Sequence, residues 1–246
     1  MTNKYALAAA LIILSVFASY IIKFYFILDY NISSDTAVWG QLGDYAGGLL
    51  NPILSFISLV LLIRSLTLQN DANASLKSEL SRNEKTEKLR SFENLFFNMI
   101  SSQKELFTSM KFEFLHETSQ AIKKETEAVI EIEDEIERMR SSDRSSDSDI
   151  QKYLKTIDSK DQIFNLTRAF YITIKMTSEK LSETQGFSME DRKSYYSTLI
   201  SFTNFSQLRL IMISLQFLDY QSVKYLRSHS ELNEALKDAG LSYDLY

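Results

Sequence analysis

The chain has no cysteine among its 246 residues. Disulfide frameworks, thiolate metal sites and thiol nucleophiles are therefore excluded. Histidine is nearly as scarce. His116 and His229 stand far apart and outside any ligand-spaced motif, so no histidine-based metal or catalytic centre is expected. There is one proline, Pro52, and four of the six glycines (Gly40, Gly43, Gly47 and Gly48) crowd the residues just before it. Elsewhere helix breakers are so rare that helix is expected almost throughout. An excess of basic charge is also missing. A formal charge of -5 argues against a nucleic-acid partner, because neutralising phosphates requires a basic face.

Phosphate-binding glycine loops, HExxH and nucleophile elbows do not occur, and no cofactor is expected. The acidic run Glu131, Glu133, Asp134, Glu135 does not make a cation cage, because alternate residues point to different sides of a helix. An enzyme is not expected, and no catalytic, cofactor-binding or metal residue is assigned.

Two long apolar runs are present. Tyr5 to Leu28 reads YALAAALIILSVFASYIIKFYFIL, interrupted only by Lys23 near its far end. About 20 apolar residues in a helix cross the hydrocarbon of a bilayer, and a lysine near the end reaches the headgroups. A cleaved signal peptide is the alternative, with Val16 and Ala18 before the cut; the apolar run continues past that point, which favours a retained anchor. The second run extends from about Tyr45 to Leu62. Asn51-Pro52 inside it is open to two readings. In the preferred one, Asn51 caps a helix that begins at Pro52 and ends near Gln69, with Gly40 to Leu50 an irregular or re-entrant entry. In the other, one kinked helix begins near Gly43.

Basic residues set the expected orientation. The connection from Asp29 to Tyr45 has none and carries Asp29, Asp35 and Asp44. Lys4 precedes the first run, and Arg64, Lys77, Arg82, Lys85, Lys88 and Arg90 follow the second. Both termini are expected in the cytoplasm. Residues 1–69 are thus read as a transmembrane hairpin, and 70–246 as an all-helical cytoplasmic domain.

Within that domain, helix is expected from Leu66 to about Glu117, with Phe92, Leu95, Phe96, Met99, Leu106 and Met110 on a core-facing stripe. Ile122, Val129, Ile132, Ile136 and Met139 follow heptad spacing, and Ile150, Leu154, Ile157 and Phe164 resume it after the Ser/Asp-rich Ser141 to Ser148. This predicts a coiled-coil-like helical hairpin over 117–160. A helix from about Asp149 to Glu183 is expected to stop near Gly186. Ser188 and Asp191 form a capping box that opens a helix to about Leu218, apolar over most of its surface and expected at the centre of the core. Arg209 on that helix must be paired or reach an edge. Two short helices, about Gln221 to Ser228 and Glu231 to Lys237, complete residues 188–246.

The stretch from Trp39 to Gln69, with Gly43-Asp44, Gly47-Gly48, Asn51-Pro52 and Leu68-Gln69, resembles the putative phage abortive infection family, the AbiC-like proteins of bacteria. FENLFFNMI (Phe92 to Ile100) and the residues around Tyr195, Tyr196 and Leu208 to Leu210 extend the resemblance. It implies two membrane helices, a helical cytoplasmic region and a role in antiviral defence at the bacterial inner membrane. Two mechanisms follow as expectations. In the first, a homo-oligomer in the lipid bilayer answers a phage or host protein trigger by rearranging its membrane segments. Gly43, Asp44, Gly47, Gly48, Asn51 and Pro52 would serve packing or gating, with Gly43 and Gly47 at GxxxG spacing, and Phe92, Phe96 and Arg209 cytoplasmic interaction. In the second, the protein is a membrane-anchored scaffold that recruits a partner through the hairpin. The glycines then only form a tight turn between two anchors.

Overall fold

In a computed structural model, residues 2–116, 119–141 and 146–246 are described. They form nine α-helices and one two-stranded antiparallel ladder, arranged as two compact units, Met1–Leu80 and Ser81–Tyr246.

The first unit holds α1 (Thr2–Ile21), a π-helical turn (Ile22–Ile27) and the first part of α2 (Thr36–Ser109). Both helices are long and apolar enough to cross a membrane, and little of either apolar stretch is buried within the chain. α2 begins earlier than expected. Asp35 caps it, its Oδ1 accepting the Ala37 amide at 2.9 Å. The helix then runs unbroken through Asn51 and Pro52. The expected start at Asn51 and the irregular entry over Gly40 to Leu50 are thereby corrected. Pro52 removes one amide donor, which withdraws the helical bond of the Gly48 carbonyl. Cooperative bonding on both sides outweighs that single loss, because the nucleation cost has already been met upstream.

The second unit contains the rest of α2 and everything after it. The helix ends at Ser109, and β1 (Lys111–His116) pairs antiparallel with β2 (Ser119–Lys124), Phe112 opposite Lys123 and Phe114 opposite Ala121. This ladder replaces the helix expected to reach Glu117 and the helical start of the 117–160 hairpin. Phe112 and Phe114 alternate with Glu113, a period of two, and both rings are buried while Glu113 is exposed. Among the described residues of 70–246, the all-helical expectation therefore holds except at this ladder.

α3 (Glu125–Ser141) and α4 (Asp147–Ile157) follow. Val129, Ile132, Ile136, Ile150 and Leu154 are buried as the stripe required, yet both helices pack on α7 (Phe205–Phe217). The faces were legible; the coiled-coil pairing was not their destination. Of the expected tip, residues 142–145 lie outside the described residues. The single helix expected from Asp149 to Glu183 is divided in two. Asp158 ends α4 and accepts the Ile163 and Phe164 amides at 2.8 and 3.0 Å, so it caps α5 (Gln162–Lys180).

Ser188 and Asp191 close the expected capping box, at 3.1 and 2.8 Å, and open α6 (Met189–Phe202). Asn204 then accepts the Ser206 amide at 2.9 Å and starts α7 afresh, which breaks the helix expected to run to Leu218. α7 is the centre of the core. Leu210, Ile211, Met212, Ile213 and Leu215 are buried among α3, α4, α5 and α8 (Gln221–Ser228). The Arg227 guanidinium donates to the Leu215 and Gln216 carbonyls at its C-terminus. α9 (Ser230–Asp238) packs on α6.

Candidate functional site

The glycine-rich segment from Trp39 to Gln69 lies in the first unit. Here α1 and α2 meet antiparallel at two levels. The Arg64 guanidinium bonds the Tyr5 hydroxyl and lies over its ring, and Ser19 and Tyr20 meet Tyr45 by a 3.3 Å hydroxyl contact and a ring contact. The connection is held by Trp39, whose indole donates to the Ser33 carbonyl at 3.0 Å. Between the π-turn, this connection and the start of α2 lies a cavity of about 510 Å³. Aromatic rings line it, among them Phe17, Tyr20, Phe24, Tyr30 and Trp39.

Within α2, the glycines are not used for contact with α1. A Cβ at Gly43 or Gly48 would meet nothing within 4 Å, and one at Gly47 would meet only the Asn51 amide, 3.6 Å away. The expected tight turn between two anchors is absent as well, since Gly43, Gly47 and Gly48 are helical. Asp44, Asn51 and Pro52 are exposed. The covered side of this span carries Leu42, Ala46, Leu50 and Ile57, which are partly or wholly buried. Residues two places apart on a helix point to opposite sides, so Asp44 and Gly48 turn away from Ala46.

In the second unit, the expected interaction residues part company. Phe92 and Phe96 are core side chains, 3% and 0% exposed, packed edge-on against Tyr195. They form no docking surface. The Tyr195 hydroxyl donates to Glu93 at 2.6 Å, and burial together with that carboxylate pushes the phenol pKa up. Arg209 is paired. Its guanidinium meets Glu133 at 2.8 Å, lies over the Phe205 ring, and shares the carboxylate with the Tyr246 hydroxyl. Glu131, by contrast, binds Lys123 and Arg138. The acidic run on α3 thus sends its buried carboxylates to different cations.

Sequence reasoning missed two groupings. Phe97, Phe202 and Phe205 are exposed, the last two by 64% and 67%, and Phe97 meets Phe202 edge-on. Beside them, Ile100, Lys104, Asn204 and Gln207 line a recess of about 290 Å³. The break at Asn204 separates Phe202 from Phe205, and in sequence both look like core. The second grouping is Ser178, Tyr196 and His229. Ser178 Oγ lies 2.8 Å from both the Tyr196 hydroxyl and His229 Nε2, and donates its own proton to the Ile174 carbonyl at 3.0 Å. His229 Nδ1 accepts the Leu232 amide, so Nε2 carries the ring proton and donates to the serine. That polarity is the reverse of a base activating a nucleophile. The Arg192–Glu231 pair stands beside it, bonded at 2.7 and 2.9 Å. Burial lowers the His229 pKa and pushes Tyr196 up to about 12.

Comparison with models of known families, with curated proteins and with solved structures finds no match to this chain.

Proposed function

We propose that this is a membrane-acting antiviral-defence protein of the abortive-infection kind. It sits in the bacterial inner membrane as a homo-oligomer with both termini in the cytoplasm, and is neither an enzyme nor dependent on a cofactor. The supporting observation is a pair of apolar helices, exposed to their surroundings and joined antiparallel at Tyr5–Arg64, on which the side bearing Asp44, Gly48 and Asn51 is left open. Exposed apolar helices in water would aggregate; in lipid they are at home. Polar Asp44 and Asn51 are costly in that solvent unless protein or water meets them, so this side is the natural place for rearrangement. The defence role rests on the resemblance of Trp39 to Gln69 and Phe92 to Ile100 to the AbiC-like family. In this reading the second unit receives the phage or host trigger and the spans perturb the bilayer.

A potential-sensitive dye in expressing cells tests the reading. Depolarisation after infection is expected, and its loss in Gly47→Leu or Asp44→Ala variants. Protection that persists in both variants with an unchanged potential would leave the spans as an anchor.

The exposed Phe97, Phe202 and Phe205 favour a second reading, a membrane-anchored scaffold that recruits a defence or envelope partner. The docking surface would then lie at the α6–α7 corner. Phe202→Ser with Phe205→Ser would abolish partner capture and protection together, whereas an autonomous effector would keep both its potential response and its protection.

A further inference from the structure

The open side of α2 does not end with Gly48 and Asn51. At about 100° of rotation per residue, Gly48, Asn51, Ser55 and Ser58 fall on one line along the helix, and that line continues through Leu62 and Leu66. Past the apolar span it carries Gln69, Asn73, Leu76 and Leu80. All of these lie within about 40° of a common direction, and all are exposed. Arg64, which holds α1 through Tyr5, lies between Leu62 and Leu66 in sequence and so points to the other side. α1 therefore occupies one side of α2 and leaves this row uncovered.

Every residue from 58 to 80 is exposed, and the contact that Arg64 makes with Tyr5 of α1 lies on the side opposite this row. A solvated helix without tertiary contact is normally sustained by a polar surface and by paired charges. Here three of the four leucines after Arg64 stand on the row, at 51%, 54% and 59% exposure for Leu66, Leu76 and Leu80. None of the charges of that stretch, Asp71, Lys77 and Glu79, falls on it. The layers of the row read small and polar in the span, then leucine, then amide, then leucine.

We infer that this row is a self-association seam, and that its occupant is the same helix of a second copy, parallel and in register. The inference rests on the membrane reading above and specifies the side of α2 and the partner involved. Copies inserted by the same signals cross the membrane in one direction and at one height, so each layer meets its own identity. Gly48, Ser55 and Ser58 permit close approach within lipid. Asn51 meets Asn51 and Asn73 meets Asn73, and each amide supplies the donor and acceptor the other requires. An apolar partner would strand Asn51 without a bond. A polar amide in an otherwise leucine seam is also the device that fixes register and favours two strands. The proposed seam differs from the GxxxG pair Gly43 and Gly47, of which Gly47 only flanks it.

The cysteine-free chain makes the test direct. Full-length single-cysteine variants Ser55→Cys, Leu76→Cys and Leu80→Cys, with Ser78→Cys on the opposite side as control, are oxidised in the membranes of expressing cells. Each substituted side chain is exposed, so none disturbs the core. At the three seam positions about tenfold more disulfide-linked dimer than at Ser78 is expected, because a disulfide requires Cα atoms within about 7 Å. Equal yields at all four positions, or none, would overturn the seam. So would cross-linking of mixed Leu76→Cys and Asn83→Cys chains without same-site products, which would mean antiparallel pairing. The dye measurement separates this from the defence reading. Seam cross-links without depolarisation would sink the defence mechanism and keep the seam, and depolarisation without cross-links would do the reverse.

Discussion

α1 and α7 are both apolar around most of their circumference, yet α7 is buried almost completely and α1 almost not at all. Composition does not distinguish them. The difference lies in the neighbours: α3, α4, α5 and α8 surround α7, whereas α1 meets the rest of its unit along one side, through Tyr5, Ser19, Tyr20 and the cavity-lining rings among others. α1 is long and apolar enough to cross a membrane and the chain leaves most of it uncovered, whereas α7 is covered by the chain itself. The two units should accordingly respond to truncation in opposite ways.

The largest effect is expected at the centre of α7. Ile213→Ala leaves a cavity in a fully enclosed core and should cost the second unit about 4 kcal/mol, within the range for such truncations. Leu11→Ala on α1, 56% exposed, should change the stability of either unit by less than about 0.5 kcal/mol. Denaturant unfolding of the protein in nanodiscs, followed by hydrogen exchange in each unit, reads both. Equal losses would show that α1 is packed as tightly as α7 and would break the contrast. Trp39, the only tryptophan, lies in the first unit, so its fluorescence follows that unit alone.

Next in size is the Arg209–Glu133 pair. Glu133 is almost enclosed, and removing its cation leaves a buried carboxylate with only the Tyr246 hydroxyl, so Arg209→Ala should cost about 3 kcal/mol. Arg209→Met, which keeps the length without the charge, should fare no better. If either variant unfolds like the wild type while a trigger response is lost, Arg209 acts at a partner surface and the structural account of it fails.

These sites also show where sequence reasoning reaches and where it stops. The two apolar spans, the core role of α7 and the Ser188–Asp191 box depend on composition and on patterns a few residues long, and they were legible. The ends of helices at Asp158 and Asn204 were not. Each is made by one side chain that exchanges solvent for the amides of the next turn, and nothing in the surrounding periodicity reports it. The β1–β2 ladder was legible in principle from the alternation of Phe112, Glu113 and Phe114, but a run without glycine or proline read as helix. At the candidate site, the sequence located Gly43 to Pro52 without revealing that it is helical. The spacing placed Phe92 and Phe96 on a core-facing stripe, which their burial bears out; the interaction role given them with the defence mechanism has no exposed surface to act through.

Asp158 gives the next prediction. Asp158→Ala frees two amides at the start of α5 and should destabilise the second unit by about 1–2 kcal/mol, while Asp158→Asn, which keeps an acceptor, should lose less than half of that. The Trp39 signal of the first unit should not move with either. A matching shift there would mean the units unfold as one, and the contrast between them would be kinetic rather than structural.

The smallest effect concerns acid. Burial holds the His229 pKa below its ordinary value, so between that value and the lower folded one the unfolded chain binds the proton and the folded chain does not. The stability contributed by the neutral ring is present in full above the ordinary histidine pKa, about 6.5. It declines as pH falls through the folded value. Protonation also ends the bond from the Leu232 amide to Nδ1, since that nitrogen becomes a donor, and so loosens the start of α9. Lowering the pH from 7.5 to 5.5 should therefore speed hydrogen exchange in α9 and in the α6 segment it packs on, with the helices of the first unit unaffected. His229→Asn retains a capping acceptor that does not titrate, and its exchange in α9 should lose most of this pH dependence. If the wild type and His229→Asn soften equally with acid, the sensitivity belongs to carboxylates such as Glu231 in the Arg192 pair, and the histidine is a spacer rather than a titrating cap.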